Sequence, residues 1–195
     1  TFASPYCQNP LKWGADIVWH STTKYIGGHS DVLGGVVISN NATLKSQMEF
    51  ARKTVGVNPS PFDVWLITRG VKTLSCRMEQ HQKNAMAVAS YLQDHPKVKK
   101  VYYPGLTTHP KHEIAKKQMY GFSGMVSAEF DLPMDKVKKL CSSFKLFSLA
   151  ESLGGIESLV NYPAIMTHGS ISPEKREEMG IRDVLIRFSI GIEDK

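Results

Sequence analysis

Residues 15–31 read ADIVWHSTTKYIGGHSD, and this segment indicates the class of fold. Its first six residues, 15–20, have the apolar character of a strand, and a second short apolar run follows at residues 33–38. The connection between the two runs is polar and contains glycine. Ligand sites in α/β proteins collect where strands end, so we expect an α/β fold with a site directly after the first strand.

The connection carries side chains that suit a phosphorylated aldehyde. Hydroxyl and backbone N–H groups in a tight turn can hold a phosphate, and Ser21 and Thr23 offer two such hydroxyls. The Lys24 amine can form a Schiff base with an aldehyde if burial or cationic neighbours lower its pKa. This spacing matches pyridoxal phosphate, with the phosphate on Ser21 and Thr23 and the aldehyde on Lys24. The alternative is an ordinary exposed loop, where Ser, Thr and Lys are also common.

Two later segments carry further candidate site residues. Residues 149–158 contain Gly154-Gly155, a turn that can present Glu151 and Ser152 to a cleft. Residues 185–189 form an apolar strand interrupted by Arg187, whose charge is costly to bury without an anion. Its partner is either an acidic side chain of the protein or the carboxylate of a substrate, held by both arms of the guanidinium.

The remaining apolar patterns predict alternating helices and strands. The longest is a helix of about 24 residues starting at Val71 and closed by His95-Pro96, with apolar side chains at spacings of three and four. We place a domain boundary near residue 75, beside this helix, which divides the chain into residues 1–75 and 76–195. The other predicted helices are 41–54, 61–70, 112–119 and 134–143, and the other predicted strands are 98–103, 125–130, 146–149 and 184–190.

Composition excludes several classes of function. The chain has 195 residues and a net charge of +6 that is spread along its length, so we expect no nucleic-acid partner. No apolar run approaches the roughly 20 residues of a membrane span. The three cysteines, Cys7, Cys76 and Cys141, have spacings that suit neither a disulfide framework nor a metal pair. We expect each to be a buried small side chain in a reducing, cytoplasmic compartment.

Residues 15–31 closely resemble the lysine signature of the Cys/Met-metabolism enzymes that use pyridoxal phosphate. The resemblance covers nearly the whole chain and continues, in family order, through residues 69–74, 103–106, 149–159, 163–168 and 185–191. It implies the PLP-dependent transferase-like fold, aspartate aminotransferase fold type I. Residues 1–75 would end the large cofactor-binding domain, and residues 76–195 would form the small C-terminal α+β domain.

The resemblance also assigns roles to residues of this sequence. Lys24 is the catalytic, Schiff-base lysine, and Ser21 and Thr23 bind the cofactor phosphate. Arg187 binds the substrate α-carboxylate, with Ser152 and Thr167 beside it. Glu151 lines the distal part of the cleft, where it would meet a second ammonium of the substrate; alternatively, it only caps the Gly154-Gly155 turn. No metal is implied.

The implied activity is a PLP-dependent reaction at the Cγ–S bond of L-cystathionine. The motif AESLGG at residues 150–155 is typical of cystathionine γ-lyase and cystathionine γ-synthase alike. The segment Asn58-Pro59-Ser60-Pro61 resembles the lyases slightly more, so we favour the lyase. Methionine γ-lyase and cystathionine β-lyase are further alternatives.

The resemblance implies a larger assembly than this chain. Family members are considerably longer, and the sequence resembles their C-terminal half. We expect the preceding half, and the neighbouring subunit of a homotetramer, to supply the other cofactor contacts of a shared active site. The expected ligand is a small amino acid. A non-catalytic fragment is the alternative if the preceding half is truly absent.

Overall fold

The computed structural model describes residues 1–194, which fold into helices around two separate β-sheets. The helices are α1 (Ser4–Cys7), α2 (Ala42–Val55), α3 (Pro61–Val71), α4 (Leu74–Gln93), α5 (His112–Gln118), α6 (Met134–Cys141) and α7 (Pro173–Glu178). The strands are β1 (Val18–Ser21), β2 (Gly35–Ile38), β3 (Val98–Tyr102), β4 (Met125–Phe130), β5 (Ser148–Leu149), β6 (Leu159–Asn161) and β7 (Leu185–Ser189). None of the helices in this part of the chain is long and apolar enough to cross a membrane.

The two sheets are built from different parts of the sequence. Strands β1 and β2 form an antiparallel pair, with Ser21 opposite Gly35. The second sheet has five strands in the order β3-β4-β7-β6-β5, and all its pairs are antiparallel except β5 with β6. The sheets therefore lie on either side of residue 75 in the sequence, while the division into two domains at that position remains a prediction.

Side-chain caps explain where three helices begin. The Asn41 side chain accepts hydrogen bonds from the backbone N–H groups of Thr43 and Leu44 and starts α2. Ser60 caps α3 in the same way, with Pro61 at the first helical position, as the sequence predicted. Ser172 caps α7, a short helix that sequence periodicity did not reveal.

Two buried clusters hold the fold together. The larger lies between α4 and the five-stranded sheet, where Ala85 and Ala89 of the helix pack with Val126, Val160 and Ile186 of the strands, all of them fully buried. The smaller cluster joins α1, α4 and the loops around Lys24 and Ser152. It contains Cys7, Tyr25, Leu74, Met78 and Leu153.

Several predicted elements need correction. The long helix begins at Leu74, not Val71, because α3 continues to Val71 and a short break at residues 72–73 separates the two. Strand β6 was not predicted, since three residues buried on every side give no alternating pattern. Cys7 and Cys141 are buried as predicted, but Cys76 is exposed on α4, so that expectation was wrong.

Candidate active site

Lys24 lies on a single wide helical turn, Thr22–Ile26, that directly follows β1. The turn is closed by hydrogen bonds from the Gly27 N–H to the Thr22 carbonyl and from the Gly28 N–H to the Lys24 carbonyl, each 2.8 Å. Lys24 itself has non-helical backbone angles, φ −94° and ψ −133°. The predicted position of the lysine, at the end of the first strand, is therefore confirmed.

The Lys24 amine is held by a residue far away in the sequence. Its Nζ donates a hydrogen bond of 2.7 Å to Oγ of Ser152. Burial lowers the pKa of Lys24 below its ordinary value of 10.5, and the positive charge of Arg187 lowers it further. Both effects raise the fraction of neutral amine, which is the form that reacts with an aldehyde.

Neighbouring residues explain why Lys24 and Ser152 meet. Tyr25 and Leu153 follow them in the sequence, and both belong to the smaller buried cluster. Gly154 makes the approach possible, because a Cβ at this position would lie 2.8 Å from the Tyr25 nitrogen. Its φ of +80° also favours glycine. The two loops therefore touch through backbone, with the Lys24 and Ser152 side chains at the edge of that contact.

Arg187 reaches the same loop from the five-stranded sheet. It lies on β7 between Ser127 and Asn161 of the flanking strands, and one Nη donates a hydrogen bond of 3.2 Å to the Ser152 carbonyl. Within residues 1–194, no carboxylate lies within ion-pair distance of Arg187, and its buried Nε has no hydrogen-bond partner. The predicted alternative of an internal ion pair is therefore not found in the described chain, and the guanidinium keeps donors for a ligand.

The pKa of Arg187 reflects this environment. Burial lowers it, while the negative charge of Glu151 acts in the opposite direction. Glu151 is exposed and forms no hydrogen bond with another described residue, so no contact supports the alternative in which it caps the Gly154-Gly155 turn. The Glu151 carboxylate therefore lies within electrostatic reach of Arg187 without being paired to it.

A cavity of about 580 Å³ opens beside these residues. Residues from both segments line it, including Thr23 and Ser30 from the first and Glu151 and Ser152 from the second. Its other acidic side chains are Asp31, Asp63 and Glu157. The sequence-predicted residues Thr23, Glu151 and Ser152 thus line one cavity. Lys24 and Arg187 each donate a hydrogen bond to Ser152, which is part of that lining.

The chemistry of this donor set fits pyridoxal phosphate. Ser21 is half-buried, and its hydroxyl has no hydrogen-bond partner in the described chain, so it is free to bind an oxygen. The Thr23 hydroxyl accepts a 3.0 Å hydrogen bond from the Gly34 N–H and donates a long one of 3.4 Å to the Gly34 carbonyl, which a ligand oxygen can replace. Thr22, between them, has a buried hydroxyl without a partner. The three hydroxyls at the end of β1 and the start of the turn, together with the partly desolvated Lys24 amine, can hold a phosphate and an aldehyde.

Thr167 is the one sequence-predicted residue that the structure does not connect to the others. It is exposed in a turn, where its hydroxyl contacts His168 Nδ1 at 2.7 Å and the Pro163 carbonyl at 3.4 Å. No hydrogen bond joins it to Arg187 or Ser152 among the described residues. Its role beside the substrate carboxylate stays a prediction.

Sequence analysis missed Arg77, which binds the turn that carries Lys24. Its guanidinium donates a 2.7 Å hydrogen bond to the carbonyl of Tyr25. A signal was present: Arg77 follows Leu74 by three positions and precedes His81 by four, so it shares their buried helix face. The charge of arginine points the other way, because charged side chains are usually exposed at the protein surface.

The chain is similar to known proteins over its whole length. The family model described as Cys/Met metabolism PLP-dependent enzyme matches residues 1–195. The chain is 54% identical over 194 residues to a cystathionine gamma-lyase of Dictyostelium discoideum, covering 100% of this chain and 50% of that protein. It is 53% identical over 194 residues to a cystathionine beta-lyase of Coxiella burnetii, covering 99% and 50% respectively.

The fold agrees equally well with solved structures. Cystathionine gamma synthase from Xanthomonas oryzae pv. oryzae, in complex with cystathionine, superimposes with a TM-score of 0.96 at 48% identity. The match covers 100% of this chain and 50% of that one, so the chain spans about half the length of the relatives it matches. The predicted α/β, PLP-dependent transferase-like fold is thereby confirmed. By its match over residues 1–195, the chain belongs to the Cys/Met metabolism PLP-dependent enzyme family.

Proposed function

We propose that this chain is part of a pyridoxal phosphate enzyme of trans-sulfuration that cleaves the Cγ–S bond of L-cystathionine. The observation that carries the proposal is the desolvated Lys24 amine, held 2.7 Å from Ser152 beside Arg187, whose donors are not satisfied by any described carboxylate. An amine with a lowered pKa next to an open guanidinium suits an amino-acid substrate whose α-amine and α-carboxylate must be held together.

The residues of this chain divide the work by their chemistry. Lys24 would hold the cofactor through its aldehyde, and Ser21 and Thr23 would hold its phosphate. When bound, the cofactor supplies an electron-withdrawing ring next to the reacting carbon. Arg187 would bind the substrate carboxylate by both arms, and the Lys24 amine would move protons between the substrate carbons.

Glu151 supports cystathionine as the substrate. Its exposed carboxylate lines the cavity and has no hydrogen-bond partner among the described residues, so it is available to a second ammonium. Cystathionine carries such a group, whereas methionine ends in a neutral thioether. The negative charge of Glu151 also acts on Arg187, so the two side chains lie within electrostatic reach of each other.

Cystathionine γ-synthase activity is the second candidate. The chain is 52% identical over 194 residues to a cystathionine gamma-synthase of Mycobacterium tuberculosis, and 49% of that protein is covered. A synthase would join cysteine to an O-acyl-homoserine at the same carbon that the lyase cleaves. The same five residues would serve either reaction: Lys24, Ser21, Thr23, Ser152 and Arg187.

Product analysis of the full-length protein separates these activities. With cystathionine as the sole substrate, cleavage on the γ side releases cysteine, ammonia and a four-carbon 2-oxo acid, whereas cleavage on the β side releases homocysteine, ammonia and a three-carbon 2-oxo acid. Net synthesis of cystathionine from cysteine and an O-acyl-homoserine would assign the synthase. Breakdown of methionine alone would assign methionine γ-lyase.

Borohydride reduction tests the role of Lys24. The reduced holoenzyme is digested, and the peptide that carries the pyridoxyl group is identified by mass spectrometry. We expect the group on Lys24, and finding it on any other lysine would overturn the assignment. A full-length protein that binds no cofactor would be the non-catalytic alternative.

The assembly and compartment are also proposals. We infer from the family resemblance a homotetramer with active sites shared between subunits, and the open cavity at Lys24 leaves room for residues of a neighbouring subunit. Sedimentation of the full-length protein tests this. The thiols of Cys7, Cys76 and Cys141 form no disulfide, which supports a reducing, cytoplasmic location that cell fractionation can check.

A further inference from the structure

Arg77 is a buried cation without a counter-charge in the described chain. It is 4% exposed, and no carboxylate lies within ion-pair distance of it among residues 1–194. Its guanidinium instead donates to the carbonyls of Tyr25 and Gly70, each at 2.7 Å, and to the Thr73 hydroxyl at 3.0 Å. Burial lowers its pKa, so the charge is held at a cost that these oxygens must offset.

The carbonyls that Arg77 binds lie at the ends of two helical segments. Tyr25 and Ile26, the latter 3.4 Å from the guanidinium, close the turn that carries Lys24, and Gly70 lies in the last turn of α3. Carbonyls at the end of a helical turn have no partner within the turn and carry partial negative charge. One guanidinium therefore fixes the residues that follow Lys24 to the start of α4.

Gly28 provides the space for this contact. A Cβ at Gly28 would lie 2.1 Å from an Nη of Arg77, and the φ of Gly28 is +76°. The guanidinium therefore fits only because residue 28 has no side chain. Gly28 and Arg77 form a matched pair beside Lys24.

A second side chain of α4 holds the same segment. The His81 ring packs edge-on against the Tyr25 ring, with centroids 5.1 Å apart. His81 is itself fixed, because its Nδ1 donates a 2.6 Å hydrogen bond to the Ile190 carbonyl. Helix α4 thus contacts Tyr25 at both backbone and ring, and the segment after Lys24 has little freedom.

We propose that Arg77 is a positioning residue that fixes the turn carrying Lys24 and so sets the direction of its amine. It acts through the backbone of Tyr25 and Ile26, whose carbonyls it binds. The proposal rests on the proposed function, in which Lys24 binds pyridoxal phosphate. If Arg77 is lost, the turn is freed and the amine leaves Ser152 for water.

The test compares Arg77→Met with Arg176→Met in the full-length protein. Arg176 serves as the control because it is also buried, at 8% exposed, and its guanidinium also holds a backbone carbonyl, that of Ile171. Unlike Arg77 it also pairs with a carboxylate, that of Asp183, so its loss should disturb the fold at least as much. In the cofactor-free protein, the rate at which an acylating reagent labels Lys24 is followed against pH by peptide mass spectrometry. The dissociation constant of pyridoxal phosphate is then measured by equilibrium dialysis.

We expect Arg77→Met to raise the pH midpoint of Lys24 labelling by roughly 0.5–1 unit, because a hydrated amine holds its proton more tightly. We also expect the dissociation constant to rise about 10-fold, as a disordered amine must be ordered on binding. Arg176→Met should change neither quantity. Arg77→Lys should recover part of both, since its ammonium can still donate to one carbonyl.

Two results would overturn the proposal. One is a folded Arg77→Met protein whose labelling midpoint and dissociation constant match the unchanged protein. The other is an equal change in Arg176→Met, which would indicate general loosening of the fold. If Arg77→Met does not fold, Arg77→Lys is judged by the same two measurements. A pyridoxyl group on another lysine of the unchanged protein would instead overturn the proposed function, since the labelling midpoint does not involve the cofactor.

Discussion

The Lys24 amine donates to the Ser152 hydroxyl at 2.7 Å, although 128 positions separate the two residues in the sequence. Ser152 also accepts a hydrogen bond from Arg187 through its carbonyl. A single residue thus contacts both cations, one through its side chain and one through its backbone. Its own φ is +80°, a conformation that costs a residue with a side chain on the order of 1 kcal/mol or more.

Replacing Ser152 separates its two roles. Ser152→Ala and Ser152→Gly both remove the hydroxyl, so we expect both to lower kcat/KM by about 10- to 100-fold, the range for a hydrogen bond to a charged group. Only glycine relieves the backbone, so Ser152→Gly should be more stable than Ser152→Ala by about 1 kcal/mol. Urea unfolding and steady-state kinetics of the full-length variants measure the two effects. Equal stability of the two variants would contradict the strained backbone.

Changing Arg187 to lysine tests its role in substrate binding. The charge is kept, but the two-armed contact with a carboxylate is lost. We therefore expect kcat/KM to fall, by an amount that corresponds to a loss of roughly 2–4 kcal/mol of transition-state stabilisation. The control is Arg182→Lys, because Arg182 binds Glu129 and Glu177 and should leave the kinetics unchanged. Kinetics of Arg187→Lys close to those of the unchanged enzyme would make Arg187 a structural residue only.

Substitution of Glu151 tests substrate choice. If its carboxylate meets the second ammonium of cystathionine, Glu151→Val should weaken turnover of cystathionine by about 1–3 kcal/mol and leave methionine breakdown unchanged or faster. The quantity measured is the ratio of kcat/KM for the two substrates. An exposed glutamate elsewhere, Glu178, serves as the control through Glu178→Val. An unchanged ratio would remove the main reason to prefer cystathionine.

The buried imidazole of His81 predicts a dependence of stability on pH. Burial lowers its pKa below the ordinary 6.5, which outweighs the opposing effect of its hydrogen bond to Ile190. Below pH 6.5 the unfolded chain therefore binds a proton that the folded chain does not, so the free energy of unfolding falls as the pH falls towards the lowered value. The slope contributed by one such group is at most about 1.4 kcal/mol per pH unit.

We expect His81→Gln to make this slope shallower, because glutamine does not titrate and can still donate to the Ile190 carbonyl. Burial also lowers the pKa of His20, so part of the slope should remain. The exposed His29 provides the control through His29→Gln. Urea unfolding between pH 5 and 7 gives the slopes, and the same slope in His81→Gln as in the unchanged protein would be the contrary result.

Much of the candidate site could be predicted from the sequence, because its reactive side chains stand close together or are unusual among their neighbours. Ser21, Thr23 and Lys24 lie within four positions, and a charged Arg187 inside an apolar strand is conspicuous in the sequence. Ser152 lies two positions before a pair of glycines, Gly154-Gly155. The type of each residue is enough to mark it as a candidate, since buried hydroxyls, amines and cations need specific partners.

The remaining contacts depend on distant parts of the chain and left no readable pattern. Arg77 lies 52 positions from the Tyr25 carbonyl that it binds, so its neighbours in the sequence do not indicate which group it contacts. The break between α3 and α4 falls where the apolar spacing continues without interruption. The sequence also could not reveal that Gly154 must lack a side chain because Tyr25 lies against it.

The distance along the chain between Lys24 and Ser152 also fixes an order of events during synthesis. With 128 positions between them and about 5–20 residues added per second, the lysine leaves the ribosome roughly 6–26 s before its partner. Throughout that interval the amine has neither the Ser152 hydroxyl nor the neighbouring charge of Arg187. A nascent chain stalled before residue 152 would therefore present an ordinary, hydrated lysine, and the environment that lowers its pKa arises only after Ser152 and Arg187 have both been synthesised.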